Sequence, residues 1–132
     1  MATILVVEDN PRNLKLAAFL LRKEGHEVLE AADARAGIEL ARRYRPPLVL
    51  MDIQLAGTDG LSAARTLKSD PFLSNSKVYA LTALAMKGDE ENIRAAGCDG
   101  YIAKPIRYRE FLQTVAAALS SGDGAPTSQQ SE

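Results

Sequence analysis

Residues 48–52 read LVLMD, a run of four apolar residues followed at once by an acidic one. A short apolar run of this kind, bounded by polar residues, is typical of a strand buried on both faces of a parallel sheet. Residues 4–9 read ILVVED and residues 100–104 read GYIAK, which predicts two more such strands with polar ends. In open α/β sheets, ligands bind beyond the carboxyl ends of the strands. The three runs therefore predict a single site containing three carboxylates and an ammonium: Glu8, Asp9, Asp52 and Lys104.

The charges at this site predict a metal. Three carboxylates repel one another, so their cluster costs free energy unless a cation binds there. Oxygen ligands suit Mg²⁺ better than they suit zinc or iron. The sequence thus predicts a Mg²⁺ site with Lys104 at its edge.

The composition limits the size and the partners of the molecule. With 132 residues, 46% of them hydrophobic, the chain can bury the core of one globular domain. Sixteen Lys and Arg residues against seventeen Asp and Glu residues argue against binding to nucleic acid or to an anionic membrane. No apolar stretch approaches the roughly 20 residues of a membrane span, so we expect a cytoplasmic protein. The single cysteine, Cys98, is predicted to be a small buried residue and agrees with a reducing compartment.

Strand and helix signals alternate along the chain. Asn10 and Pro11 begin a first helix, which Gly25 ends before a second strand at residues 26–31. Asp33 caps a second helix that runs to about Tyr44. The later predicted elements are a helix through Leu67, a strand at residues 77–81, a helix at residues 88–96 and a helix at residues 110–119. Five β/α units with short connections predict a doubly wound α/β fold with a parallel sheet.

The composition changes near residue 120. Residues 121–132 have almost nothing to bury, so we predict a domain over residues 1–120 followed by a disordered polar tail over residues 121–132. No second domain is predicted after it. If the chain is complete, we expect its output to pass through a change of surface that another protein reads; the alternative is a fragment of a longer protein.

Several short motifs occur in order, each near the end of a predicted strand: Glu8-Asp9, Met51-Asp52, Gly57, Asp59-Gly60, Thr82-Ala83, Tyr101 and Lys104-Pro105. Each is weak evidence alone, but the ordered set resembles a receiver domain of the two-component response regulators, of the stand-alone type. The resemblance covers Thr3 to about Ser120. It implies a five-stranded sheet in the order 2-1-3-4-5, with helices on both faces and Asp9 beside Asp52.

The resemblance implies roles for the residues of the site. Asp52 is the residue that a histidine kinase or a histidine phosphotransfer protein phosphorylates. Asp9 and Asp52 bind Mg²⁺ together with the backbone carbonyl of Gln54, and Glu8 acts through water. No enzymatic activity is expected beyond weak Mg²⁺-dependent self-phosphorylation and self-dephosphorylation.

The chemistry of phosphoryl transfer agrees with these roles. A carboxylate accepts a phosphoryl group when cations neutralise the transferred oxygens, because the reaction depends on positioning and charge stabilisation. Asp52 is the predicted nucleophile, Lys104 supplies a point charge and the Thr82 hydroxyl donates a hydrogen bond. The resemblance further implies a cis peptide bond between Lys104 and Pro105.

A switch follows if Thr82 moves to make its hydrogen bond. An exposed Tyr101 ring can then turn inward to fill the vacated space. The altered surface belongs to the fourth and fifth helices and the strand between them, around Arg94, Tyr101 and Tyr108, and is the predicted contact for a downstream protein.

The resemblance implies that the first helix docks the phosphodonor. A stripe of Leu16, Ala17, Leu20 and Leu21 is predicted to face the core. Three apolar residues of this helix are surplus to the stripe: Leu14, Ala18 and Phe19. They either contact the donor or pack under neighbouring loops. We expect a monomer or a weak dimer.

Three other classes compete with this interpretation. An aspartate-nucleophile Mg²⁺-dependent phosphatase needs a second acid two residues after the nucleophile, where this chain has Gln54. A flavodoxin-like nucleotide binder needs a Ser/Thr/Gly-rich phosphate loop, where Glu8 and Asp9 instead repel phosphate. A pseudo-receiver that signals by binding alone usually lacks one of the acids or the lysine, and all are present here.

Overall fold

A computed structural model describes residues 2–54, 60–83 and 87–120, except for the side chains of residues 87–89. Its strands are β1 (Thr3–Val7), β2 (Glu27–Ala31), β3 (Leu48–Asp52), β4 (Lys77–Thr82) and β5 (Gly100–Ala103). Its α-helices are α1 (Pro11–Lys23), α2 (Ala34–Tyr44), α3 (Gly60–Ser69), α4 (Lys87–Ala95) and α5 (Tyr108–Ser120), and a 3₁₀ turn covers Pro71–Leu73. The strict alternation confirms the predicted series of β/α units.

The strands form one parallel sheet in the order β2-β1-β3-β4-β5, which confirms the fold class. β1 lies between β2 and β3, with Val7 opposite Met51 of β3. β4 lies between β3 and β5, with Leu81 opposite Asp52. The carboxyl ends of β1, β3 and β4 therefore meet at the centre of one edge of the sheet.

Two apolar clusters cover the two faces of the sheet. Strand side chains point alternately to opposite faces, so Val49 and Met51 of β3 join one cluster while Leu48 and Leu50 join the other. The first cluster packs against α2, α3 and α4, and the second packs against α1 and α5. Every residue of β3 is buried, as the LVLMD run predicts.

Capping side chains fix where the first two helices begin. The Asn10 side chain accepts hydrogen bonds from the backbone N–H groups of Arg12 and Asn13, and Pro11 occupies the first turn. The Asp33 side chain accepts from the N–H of Ala36 at the start of α2. Both caps lie within three residues of a strand end, so they also fix the direction in which the chain leaves the sheet.

The observed boundaries differ from the predicted ones at two places near the site. β4 continues to Thr82, which makes that residue the last of the strand. Helix α5 begins at Tyr108 and not at Glu110. The carbonyl of Arg107 already accepts the N–H of Phe111 over 2.7 Å, so the helical hydrogen bonds start before the acidic first-turn residue.

The predicted core stripe of α1 is confirmed at Ala17, Leu20 and Leu21, which are buried, and is wrong at Leu16. Leu16 is 42% exposed, whereas Ala18, which was predicted to be surplus, is only 2% exposed. Leu14 is partly buried against the second cluster, and the buried residues of the inward face are Ala17, Ala18, Leu20 and Leu21. Phe19 is 60% exposed and remains surplus to the core.

Two further observations bear on composition-based predictions. Cys98 is buried, as predicted, and burial raises the pKa of its thiol to about 11. Within the described ranges, every helix is too short or too polar to cross a lipid bilayer.

Candidate phosphoacceptor site

Three carboxylates cluster where β1 and β3 end. Glu8 and Asp9 follow the last residue of β1, and Asp52 is the last residue of β3. One carboxylate oxygen from each residue lies within 4.8 Å of an oxygen of the other two. Glu8 and Asp52 are buried, whereas Asp9 is not. The structure thus brings together the three acids that the sequence assigns to this edge.

Lys104 places an ammonium between the two buried carboxylates. Its Nζ atom is 3.1 Å from Asp52 Oδ2 and 3.4 Å from Glu8 Oε2. Its backbone N–H donates to the carbonyl oxygen of Thr82 over 2.8 Å, which holds the residue beside the end of β4. The peptide bond between Lys104 and Pro105 is cis.

The two carboxylate oxygens of Asp52 have different neighbours. Oδ1 accepts a hydrogen bond from the backbone N–H of Gln54 over 2.9 Å, and Oδ2 faces Lys104. The residue is only 1% exposed. A carboxylate oxygen held in this way needs little reorganisation before any reaction.

Glu8 shows how strongly negative this site is. Burial raises the pKa of its carboxyl to about 7, and a hydrogen bond and charge repulsion from Asp52 act in the same direction. The Lys104 charge and the N–H of Asn10, which donates to Glu8 Oε1 over 3.2 Å, oppose that rise. A single ammonium therefore leaves the pair of buried acids undercompensated. A divalent cation with a preference for oxygen ligands, such as Mg²⁺, fits this donor set.

The ends of β3 and β4 are joined across the site by Gln54. The N–H of Ala83 donates to Gln54 Oε1 over 3.2 Å, and the neighbouring Thr82 is fully buried. Sequence reasoning considered the backbone carbonyl of Gln54 but missed this side-chain contact. Nothing in the sequence indicates that a residue beyond β3 bonds to a residue beyond β4, because the two are distant in the chain.

Tyr101 is half-buried, so the predicted exposed ring is wrong. The ring packs against the apolar cluster under α2, α3 and α4. Its hydroxyl donates to Glu90 Oε2 over 2.8 Å, and this bond and the Glu90 charge raise the pKa of the phenol. Glu90 was not identified from the sequence, since it reads as one of several acidic residues on an exposed helix.

Some predicted features lie outside the described residues. These are Gly57, Asp59, Leu84 and the tail over residues 121–132.

The residues that the structure does bring together come from the ends of four strands. They form a cluster of acids with one lysine, suited to binding a cation and an anionic group side by side.

Comparison with known proteins agrees with this geometry. The family model described as response regulator receiver domain matches residues 4–116. The chain is 44% identical over 117 residues to the polar-differentiation response regulator DivK of Brucella anthropi, covering 89% of this chain and 95% of that protein.

Solved structures give the same result. The receiver domain of the Pseudomonas aeruginosa sensor histidine kinase PA1611, crystallised with a magnesium ion in its active site cleft, is 38% identical with a TM-score of 0.79. The match covers 88% of this chain and 94% of that one. The chemotaxis protein CheY4 of Vibrio cholerae shares the fold, with a TM-score of 0.86 at 23% identity over 90% of this chain and 99% of that one.

Proposed function

The chain belongs to the receiver-domain family of two-component response regulators, and on that premise we propose that it is a phosphorylation-dependent switch whose acceptor residue is Asp52. The observation that carries the proposal is the placement of the Asp52 carboxylate. It is buried, one oxygen accepts the Gln54 N–H, and the other lies 3.1 Å from the Lys104 ammonium.

The proposed reaction transfers a phosphoryl group from a phosphohistidine to Asp52. A carboxylate oxygen forms a bond to phosphorus while the bond from phosphorus to the histidine nitrogen breaks, and the imidazole leaves. Lys104 neutralises one transferred oxygen, and the Thr82 hydroxyl donates a hydrogen bond to another. The acyl phosphate brings about two negative charges into the site, so its stability depends on these cationic and donor groups.

The residues that would hold Mg²⁺ are Asp9 and Asp52 with the backbone carbonyl of Gln54, while Glu8 acts through water. When bound, Mg²⁺ supplies positive charge that stabilises the transferred oxygens. Two facts support this assignment: the clustering of the three carboxylates and the magnesium ion bound by the similar PA1611 receiver domain.

Adding Mg²⁺ is expected to stabilise the folded protein. The carboxylates are brought together only in the folded state, so Mg²⁺ at ten times its dissociation constant adds about 1.4 kcal/mol to the free energy of unfolding. For a domain of this size the melting temperature rises by about 4 °C, which calorimetry measures. The Asp9→Asn variant, which loses a proposed ligand, should respond much less. A melting temperature that does not change at millimolar Mg²⁺ would contradict the metal assignment.

Two surfaces are proposed for protein partners. Helix α1, which begins two residues after Asp9, presents Leu16 and Phe19, 42% and 60% exposed, which suits the docking of a histidine kinase or a histidine phosphotransfer protein. The surface of α4, β5 and α5, which includes the 55% exposed Tyr108, is proposed to contact a downstream protein in the cytoplasm. We propose that the protein acts as a monomer or a weak dimer.

The lifetime of the phosphorylated form is expected to be long. Hydrolysis needs an oriented water, and the residues best placed to hold one are Gln54 and Leu84, each two positions after a strand-end residue of the site. The Gln54 amide oxygen is already bonded to the Ala83 N–H, and leucine cannot hydrogen-bond water.

The Leu84→Glu variant should therefore lose its phosphoryl group faster, by about tenfold, since a carboxylate there can orient the attacking water. The measurement is the first-order decay of radiolabelled phosphoprotein. Leu84→Met is the matched control, because it keeps an apolar side chain. Equal decay rates in Leu84→Glu and wild type would remove the explanation.

Labelling with a small acyl-phosphate donor tests the proposed function directly. A stable adduct with one phosphoryl group, found by intact-mass measurement and localised to Asp52, supports the receiver function. Steady release of inorganic phosphate without an adduct would support the phosphatase alternative. Absence of both an adduct and phosphate release with Mg²⁺ present would support a pseudo-receiver that acts by binding alone.

A further inference from the structure

A hydrogen bond joins β5 to α4 at the edge of the proposed output surface. The Tyr101 hydroxyl donates to Glu90 Oε2 over 2.8 Å. Because the acceptor is a carboxylate, this bond is stronger than one between neutral groups. Arg94 lies one helical turn after Glu90, and its charge acts to lower the pKa of the phenol.

The Tyr101 ring is held at its base as well as at its tip. Tyr101 lies opposite Ala80 in the sheet, and its ring packs against the cluster under α2, α3 and α4. The hydroxyl is the atom farthest from the backbone, so rotation of the side chain about the Cα–Cβ bond moves it away from Glu90. Any inward turn of the ring toward the end of β4 must therefore break this hydrogen bond or move α4 with it.

We propose that Glu90 is a positioning residue that holds the Tyr101 ring in its resting arrangement. It thereby sets how strongly phosphorylation of Asp52 must favour the arrangement in which the ring is turned inward. The inference rests on the proposed function, because it requires the state of Asp52 to be coupled to Tyr101. A ligand shifts a two-state equilibrium only by its difference in affinity for the two states. Loss of the Glu90 acceptor makes the alternative arrangement easier to reach, and any phosphoryl group or mimic at Asp52 then binds more tightly.

The test uses beryllofluoride with Mg²⁺ as the phosphoryl mimic, on the full chain. The Glu90→Ala variant should bind the mimic about fivefold more tightly than wild type, the effect of losing one hydrogen bond. In the absence of the mimic, its Tyr101 ring resonances should move part of the way toward the position seen in the wild-type complex. Glu90→Gln keeps a neutral acceptor and should fall between the two.

Two controls separate a specific contact from a change of charge. Glu91→Ala removes a carboxylate from the adjacent, exposed position of α4 and should leave both readouts at wild-type values. In a Tyr101→Phe background the hydroxyl is absent, so Glu90→Ala should cause no further gain in affinity for the mimic. This double-mutant cycle measures the coupling between the two side chains.

Different results overturn different parts of the inference. If wild-type Tyr101 responds to the mimic but Glu90→Ala matches wild type in affinity and in resting ring resonances, Glu90 does not position the ring and the proposed switch still stands. An equal gain in affinity for the mimic in Glu91→Ala also overturns the positioning role, because loss of a negative charge alone would then explain the gain. A wild type that neither binds the mimic nor shifts Tyr101 overturns both the inference and the proposed function.

Discussion

The Asp52→Asn variant is expected to accept no phosphoryl group while keeping its fold. Asparagine removes the nucleophilic carboxylate and almost no volume. Its side-chain oxygen can still accept the Gln54 N–H that Asp52 Oδ1 accepts at 2.9 Å. Lys104 loses its contact with Asp52 but keeps Glu8 at 3.4 Å, and the repulsion between the two buried acids disappears. These effects oppose each other, so the free energy of unfolding should change by less than about 1 kcal/mol.

The measurement is labelling by a small acyl-phosphate donor, followed by mass spectrometry of the intact protein and of its peptides. Asp33→Asn is the matched control, because it removes a carboxylate that caps α2 and asparagine caps a helix as well as aspartate does. The Asp33→Asn variant should accept the phosphoryl group to the same extent as wild type. Labelling of Asp52→Asn at another residue, to the same extent as wild type, would show that the acceptor has been assigned wrongly.

The parts of this site that could be predicted are those encoded by local sequence. The LVLMD run over residues 48–52 is apolar without alternation, so it indicates a strand buried on both faces and an acid at its carboxyl end. The same logic applies to the run before Glu8 and to the run before Lys104. The carboxyl ends of parallel strands lie at one edge of the sheet. The clustering of the acids with the lysine could therefore be predicted without knowing the strand order.

Strand order itself came from family resemblance. The pairing of β1 with β3 places Ile4 opposite Leu48, far along the chain, and short connections alone do not determine it. Contacts between separate elements were beyond sequence reasoning for the same reason. The Gln54 side chain at the Ala83 N–H and Tyr101 at Glu90 depend on how loops and helices pack.

The inward face of α1 was predicted only in part, because the helix carries too many apolar residues. Leu14, Leu16, Ala17, Ala18, Phe19, Leu20 and Leu21 supply more than one apolar stripe at helical spacing. Only the packing against the sheet decides that Ala18 lies inside and Leu16 outside. The error has a functional consequence, since it adds Leu16 to Phe19 on the surface proposed to receive the phosphodonor.

The Thr82→Ala variant is expected to accept a phosphoryl group but to lose most of the response at Tyr101. Thr82 is fully buried at the end of β4, and its backbone carbonyl accepts the N–H of Lys104, a contact that alanine preserves. The nucleophile and the lysine are therefore unaffected. What disappears is the hydroxyl that is proposed to bond a transferred oxygen, and with it the force that draws the end of β4 toward Asp52.

Tyrosine side-chain NMR with and without beryllofluoride measures that loss. In wild type the Tyr101 ring resonances should shift on binding the mimic, because the ring leaves Glu90 and turns inward. In Thr82→Ala the mimic should still bind, but most of the shift should be absent. Thr82→Ser keeps the hydroxyl and should retain the shift, which separates loss of the donor from loss of volume in a buried position.

Two packings that differ by only a few kcal/mol suffice for such a switch, so removal of one hydrogen bond is enough to uncouple them. A Tyr101 shift of equal size in wild type and Thr82→Ala would show that the threonine does not carry the signal.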